Sequence, residues 1–451
     1  MKKLITFHLL FYFSLLSIAQ ENYKKCITNR LTNQEILNNP EYAKGRATAI
    51  EQNRQWLAKN NKAESTISIP VVIHVIHRQS HSNIGTGTNI SDEQIEDALR
   101  VLNEDYSKTN PEFPNPPRTT FLSYWGNPDI KFCLATTDPD GNPTTGITRT
   151  STIKNSFDAD DNNDSEAMKR NSTGGNDTWD SKRYVNIWVC NLSNSQGGGE
   201  TLGYAYLPST WPSGHWKDGL VVDYQHFGTI DAASASDGRT PTHEIGHYLG
   251  LEHTFAEGSW WGPANACGTS SNPTCCDNDE GNVDDTPACL DIYFGPVDNS
   301  TNNNSCNDLQ YTNTFNTDVL DMDENYMSYA ANTWMFSNGQ VDVMHATLNN
   351  SRLELQNSTV PTNCSGIISS SLNINKENIS VYPNPNKGDL FVKSSSNIKN
   401  ITITNIIGEI VLSNKIISLN LIDISSLNNG VYFISIKTDN ETVNKKIVLS
   451  K

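Results

Sequence analysis

The sequence predicts an α+β domain, with a twisted sheet over a site-bearing helix and an irregular C-terminal part, followed by a small all-β sandwich. Three observations carry this. Ile67-Ser68-Ile69-Pro70-Val71-Val72-Ile73-His74-Val75-Ile76-His77 is a long apolar, β-branched run that reads as a first core strand. His243-Glu244-Ile245-Gly246-His247 places two imidazoles four residues apart, on one face of a helix one turn apart. From Ile379 onward short β-branched strands alternate with turn signals. The boundaries drawn from these changes are 1–19, 20–65, 66–356, 357–375 and 376–451.

The first nineteen residues read as a signal peptide. Lys2 and Lys3 give a positive start, residues 4–16 an apolar stretch, and Ser17-Ile18-Ala19 a cleavage site before Gln20. No later apolar run approaches the roughly 20 residues that span a bilayer. Over 451 residues the net charge is −17, the pI about 5.0 and the mean hydropathy −0.51. That balance argues against nucleic acid or an anionic membrane surface as partner. Residues 20–65 are polar and helix-prone and read as a pro-segment. Its Cys26 offers either a thiolate able to plug a metal site or an incidental or disulfide-forming cysteine. Export permits disulfides among the nine cysteines, which crowd between Cys267 and Cys306.

After the first strand, Ser91-Asp92-Glu93-Gln94 is a capping-box start for a helix with Ile95, Leu99, Leu102 and Tyr106 inward. His74 and His77 point to opposite faces of their strand and cannot share a metal, so they are read as structural. Further strands are expected at 130–135, 184–190 and 220–224. Residues 157–180, rich in Asp, Asn, Ser and Gly, are expected to form a long surface excursion. Cys133 and Cys190 fall inside strands, as buried thiols or a bridge. Residues 202–207 read as a short edge strand, either able to bind an extended peptide by strand addition or an ordinary sheet edge.

The chemistry centres on His243, Glu244, His247 and His253. Gly250 lets the chain turn out of the helix, and His253 returns as a third nitrogen ligand. Three imidazoles leave one zinc position open, and Glu244 is placed to meet a water there as general base. The extended HExxHxxGxxH pattern marks the metzincin metallopeptidases. Downstream, Asn325-Tyr326-Met327-Ser328-Tyr329 can floor the site with a methionine and reach it with a tyrosine. The acidic run 277–287 offers the hard oxygens that calcium prefers, or is a solvated loop. Residues 340–348 read as a closing helix with Val341, Met344 and Leu348 inward, and 357–375 as a Ser/Asn/Thr-rich linker. The C-terminal β module contains no histidine and no catalytic constellation.

The region 67–355 resembles the pappalysin branch of the metzincins. The resemblance rests on Ile69-Pro70-Val71-Val72-Ile73-His74-Val75, the stretch 238–255 around the three histidines, Val283-Asp284-Asp285-Thr286-Pro287 and Glu324-Asn325-Tyr326-Met327-Ser328-Tyr329. It implies zinc on His243, His247 and His253, Glu244 as base, Met327 as Met-turn residue and Tyr329 assisting at the scissile carbonyl. It also implies structural calcium, with Asp279, Glu280, Val283, Asp285 and Thr286 as candidate ligands, and a latency switch at Cys26. Two positions depart from the branch: Gly281 stands where an aspartate is expected, and residues 330–335 hold neither cysteine nor acid. The C-terminal unit resembles the type IX secretion sorting domain, through Val381-Tyr382-Pro383-Asn384-Pro385, Gly408, Gly430-Val431-Tyr432 and Lys445-Lys446-Ile447-Val448. The expectation is a monomeric, secreted or surface-attached zinc endopeptidase acting on proteins or peptides, made as a zymogen and exported by the type IX machinery. The rival is a zinc-bearing adhesin or toxin-like binding protein with vestigial hydrolysis.

Overall fold

The computed structural model describes residues 25–59, 66–195, 200–210, 215–255, 283–310, 314–364, 380–383, 386–393, 398–405, 409–414, 421–438 and 442–451. The signal peptide, most of the cysteine-rich loop and the calcium candidates Asp279 and Glu280 lie outside them. The chain divides into two compact units, 1–367 and 368–451.

The first unit is built on β1 (Ile67–Arg78). Its N-terminal half pairs with β2 (Ile130–Leu134) and its C-terminal half with β3 (Ile147–Thr152). On its other side lies β5 (Val185–Cys190), followed by β8 (Leu220–Asp223) and the edge strand β7 (Gly203–Ala205). All pairings are parallel except that of β7 with β8. A parallel sheet needs cover on both faces, which is why β1 is buried along nearly all its length and mostly apolar rather than alternating.

One face packs on α3 (Asp92–Tyr106), α4 (Thr240–Tyr248) and α5 (Asn338–Asn349) in a single core with Ile69, Val71, Ile73, Leu99, Ile245, Met327 and Met344. Ser91 caps α3 by accepting from Gln94 N, and Ser337 with Gln340 forms a full capping box on α5. Val341, Met344 and Leu348 of α5 face inward as expected.

The other face holds two departures from expectation. Residues 157–180 are no surface excursion. Phe157, Ala159, Ala167 and Met168 are buried with Trp188, Tyr204 and Tyr206, and fully buried Lys169 pairs with Glu166. The composition misled because Asp158, Asp161 and Asp164 satisfy turn amides locally, which leaves a few apolar side chains free to insert. The strand β3, Ile-Thr-Arg-Thr-Ser-Thr, precedes this interval and lacks the apolar alternation that would announce it.

The N-terminal segment completes that second core with Ile27, Leu31 and Tyr42. Its helices α1 (Thr28–Asn38) and α2 (Pro40–Leu57) lie on the first unit, held by Arg46–Glu252 at 2.6 Å, Asn53–Thr347 at 2.8 Å and a Lys217–Glu35 ion pair. Cys133 is bridged to Cys364, whereas Cys190 is a buried free thiol. Residues 357–364, expected as linker, are therefore part of the first unit, with Thr362 bridged to Ala135.

Beneath the Met-turn, Arg118 and Glu324 form a buried ion pair, and the Arg118 guanidinium also donates to Asp321 O at 2.7 Å. Removing one partner leaves a buried charge unpaired. Glu324→Ala is expected to destabilise the first unit by about 3–5 kcal/mol, read as a lowered midpoint of denaturant unfolding.

The second unit stacks a three-stranded sheet, β13 (Leu421–Asp423), β10 (Asp389–Lys393) and β9 (Ser380–Tyr382), against a four-stranded one. The latter is ordered β12 (Ile410–Asn414), β11 (Ile398–Asn405), β14 (Gly430–Thr438), β15 (Thr442–Leu449). Leu390, Val392, Ile401, Ile403, Ile434, Ile436 and Ile447 fill the space between, so the expected sandwich is present.

Candidate active site

Helix α4 carries His243 and His247 on one face, and the chain leaves it through Gly250 at φ +100°, a conformation that excludes most side chains. That turn returns His253 to the same point. The three Nε2 atoms form a triangle with sides of 3.1, 3.1 and 3.2 Å. The Nδ1 atoms of His243 and His247 lie 2.7 Å from the carbonyls of Tyr326 and Leu251. A carbonyl can only accept, so each Nδ1 carries the proton and each Nε2 presents its lone pair inward. Convergent lone pairs repel unless a cation sits among them, so this donor set fits a metal ion. Burial keeps the imidazoles neutral: His243 is pushed down to about 4, and His247 and His253 well below the usual value.

Met327 is fully buried under the helix. A Cβ on Gly246 would come within 2.4 Å of the Met327 sulfur, so this contact requires glycine. The turn thus supports the histidines twice, through the methionine floor and through the Tyr326 carbonyl. Asp105 of α3 ties both parts together. It accepts from Tyr326 Oη at 2.6 Å and from Thr242 Oγ1 at 2.7 Å, and burial raises its pKa to about 6.

The N-terminal segment closes the site. Cys26 Sγ and one nitrogen from each histidine all lie within 4.8 Å of one another. Cys26 Sγ is also 3.5 Å from Glu244 Oε2, and Thr28 Oγ1 is 3.4 Å from the same oxygen. In this covered state burial pushes Glu244 up to about 8, against the hydrogen bonds from Cys26 and Thr28. The Tyr329 hydroxyl accepts from Cys26 N at 3.2 Å and donates to Cys26 O at 3.3 Å. Its ring stands edge-on to His253, with centroids 5.0 Å apart.

Residue 26 pairs with Gly203 in parallel, Leu202 N donates to Lys25 O at 2.9 Å, and Ala205 N donates to Thr28 Oγ1 at 3.0 Å. The expected edge strand therefore exists, and its free edge is taken by the chain's own N-terminal segment. Lys25 enters a pocket lined by Asp237, Thr240, Tyr329 and Thr333, and its Nζ donates to Tyr329 O at 2.7 Å.

The comparisons with known proteins point the same way. The family described as pregnancy-associated plasma protein-A matches residues 169–349, and the secretion system C-terminal sorting domain matches 380–450. Mature mirolysin of Tannerella forsythia, solved with a cleaved peptide, is 35% identical with a TM-score of 0.50. That match covers 65% of this chain and 97% of mirolysin. The chain belongs to the pappalysin family of metallopeptidases. A substituted promirolysin from the same organism, 30% identical with a TM-score of 0.56, matches over 74% of this chain and 97% of its own. Among sequence relatives, extracellular metalloproteases of Colletotrichum graminicola and Pyricularia oryzae are 28% and 26% identical over 202 and 272 residues. These matches cover 44% and 59% of this chain. The chain spans 55% of the first and 69% of the second. With its sorting domain, this pappalysin is secreted or attached to the cell surface. Among the described residues no helix is long and apolar enough to cross a membrane.

Of the residues expected to act, the structure brings together Cys26, His243, Glu244, His247, His253, Met327 and Tyr329. Asp285 lies apart from them. Its carboxylate accepts from Ser337 Oγ at 2.6 Å and Gly339 N at 2.9 Å, at the start of α5. Val283 and Thr286 flank it in sequence. Sequence reasoning missed Thr28, Lys25, Asp105 and Asp237. Lys25 and Thr28 carried a signal, their places beside and two residues after Cys26; Asp105 and Asp237 reach the site through contacts that no local pattern records.

Proposed function

We propose that this pappalysin is a zinc-dependent endopeptidase held latent by residues 20–65, with Cys26 closing the zinc site and calcium bracing the segment around Val283, Asp285 and Thr286. The observation that carries the reading is the triangle of three Nε2 lone pairs beside Glu244 and Tyr329, under a strand edge that already holds an extended chain. A zinc ion held there would polarise a peptide carbonyl and make a water nucleophilic near neutral pH. Glu244 takes that water's proton and passes it to the leaving amine. Tyr329, whose hydroxyl now grips the backbone of residue 26, is freed to stabilise the developing oxyanion. The backbone of β7 aligns the substrate through the groups that Lys25 and Thr28 now occupy.

The occupant of the Lys25 pocket suggests that the residue just after the scissile bond is basic. Asp237 at that pocket supplies a negative charge from ahead of α4, in a chain that lacks an acid after the Met-turn. Incubating the processed enzyme with a proteome-derived peptide library, with and without a zinc chelator, tests the reading. The expected result is endoproteolytic cleavage before Lys or Arg, abolished by the chelator and restored by added zinc. Absence of cleavage in a zinc-loaded, processed sample would favour the adhesin reading.

A further inference from the structure

The pocket that holds Arg30 is the second place where the N-terminal segment puts a charged side chain into the first unit. Arg30 is only 9% exposed. Its guanidinium donates to Ala159 O and, at 3.3 Å, to Asn162 Oδ1. Asp160 and Asp158 offset the cost of burying it. The fit is incomplete, because the buried Arg30 Nε has no hydrogen-bond partner.

The pocket does not depend on Arg30 for its shape. Ala159 N donates to Ser193 O at 2.8 Å, and Asp158 N to Asp164 Oδ2 at 2.8 Å. Asp158 Oδ1 accepts from Asp160 N at 2.9 Å and Ser195 N at 3.2 Å. The short parallel pairing of β4 (Phe157–Asp158) with β6 (Leu192–Ser193) anchors the loop from below. None of these bonds involves residues 25–59. What remains is a preformed group of acceptors, Ala159 O, Asn162 Oδ1 and the carboxylates of Asp158 and Asp160.

Its position is set by the chain that now fills the cleft. Lys25 lies on the side of Tyr329 and Thr333, Cys26 at the three histidines, and Thr28 beyond them at Ala205. Arg30 continues in that second direction. From Ile27, the N-cap of α1, one step and then three helical rises carry the chain roughly 8 Å past Cys26, between two and three residues of extended substrate. Ile27 and Leu31, on either side, sit against Tyr204, Tyr206 and Met168, so the approach to the pocket is apolar.

We propose that substrate crosses the cleft in the direction opposite to the N-terminal segment, and that the loop 157–162 is then a subsite on the non-primed side, selecting an arginine two to three residues before the scissile bond once that segment has left. It rests on the endopeptidase reading above. Guanidinium suits the site better than ammonium because its planar fork can serve the Ala159 carbonyl and the Asn162 and Asp160 oxygens together. The zymogen and its substrates thereby compete for the same acceptors.

The test uses the full chain after proteolytic release of the N-terminal segment and a set of internally quenched peptides. They share one scissile bond and carry Arg, Lys, Leu or Glu at each of the second, third and fourth positions before it. At one of these positions kcat/KM is expected to favour Arg over Leu by about ten-fold, with Glu poorest. Asp160→Asn is expected to collapse that Arg-to-Leu ratio, and Asn162→Asp, on an exposed residue, to raise it several-fold. Equal rates for Arg and Leu at all three positions would overturn the subsite, as would a ratio unmoved by both variants. In either case cleavage of the leucine peptides shows that the endopeptidase reading still stands, whereas no cleavage of any peptide removes both.

Discussion

Replacing Glu244 by glutamine is expected to leave the metal in place and lower kcat by about 10²–10⁴-fold, the range that general acid–base catalysis supplies. The side chain is nearly isosteric, and Glu244 is not one of the three nitrogen donors, whose Nε2 triangle is set by the Tyr326 and Leu251 carbonyls and by the Gly250 turn. Metal content measured on the purified variant should therefore match the parent while hydrolysis falls. KM should change little, because substrate alignment is assigned to the edge of β7. A variant that retained full activity would remove Glu244 from the chemistry. A variant that lost its metal would show instead that the carboxylate organises the ligands.

The second large effect is expected at Cys26. In the unprocessed chain its sulfur lies with the three histidine nitrogens and 3.5 Å from Glu244, while its backbone amide and carbonyl engage Tyr329. Cys26→Ala deletes the sulfur and keeps the backbone contacts. Losing a ligand-class interaction of about 1.5–3 kcal/mol should shorten the lag before activity appears by about ten- to hundred-fold. The remaining anchors, Arg30, Arg46 and Asn53, keep the segment from simply dissociating, so latency should weaken rather than vanish. Following fluorogenic hydrolysis from the moment of dilution reads this directly, and a lag equal to that of the parent chain would exclude the sulfur from the latency device.

Much of this was legible because the chemistry of a metal site constrains residue type and spacing at once. Histidines four apart, a glycine at the turn and a third histidine beyond it specify the ligand face without any tertiary information. The Met-turn was readable for the same reason, as a short motif at a plausible distance. What could not be read was supplied by the backbone. The carbonyls of Tyr326 and Leu251 choose the imidazole tautomers, yet any residue type could stand at those positions. Strand β3 escaped notice because it pairs with the far end of β1 through threonines, serine and an arginine, held by its neighbours rather than by its own apolar pattern. The interval 157–180 was misread because turn chemistry dominates its composition, while its structural role rests on Phe157, Ala159, Ala167 and Met168. Cys133 illustrates another limit: its partner, Cys364, is 231 residues away, beyond any spacing rule.

That bridge has a mechanical meaning. It moors the end of the first unit to β2, the strand at one end of the sheet, so the chain leaves for the sorting module from a covalently fixed point rather than from the end of α5. Tension applied through the C-terminal module during export reaches the sheet at Cys133 and bypasses the helix that packs beneath the Met-turn. Because such a bond forms only where thiols can be oxidised, the mooring is set after the chain has left the reducing interior.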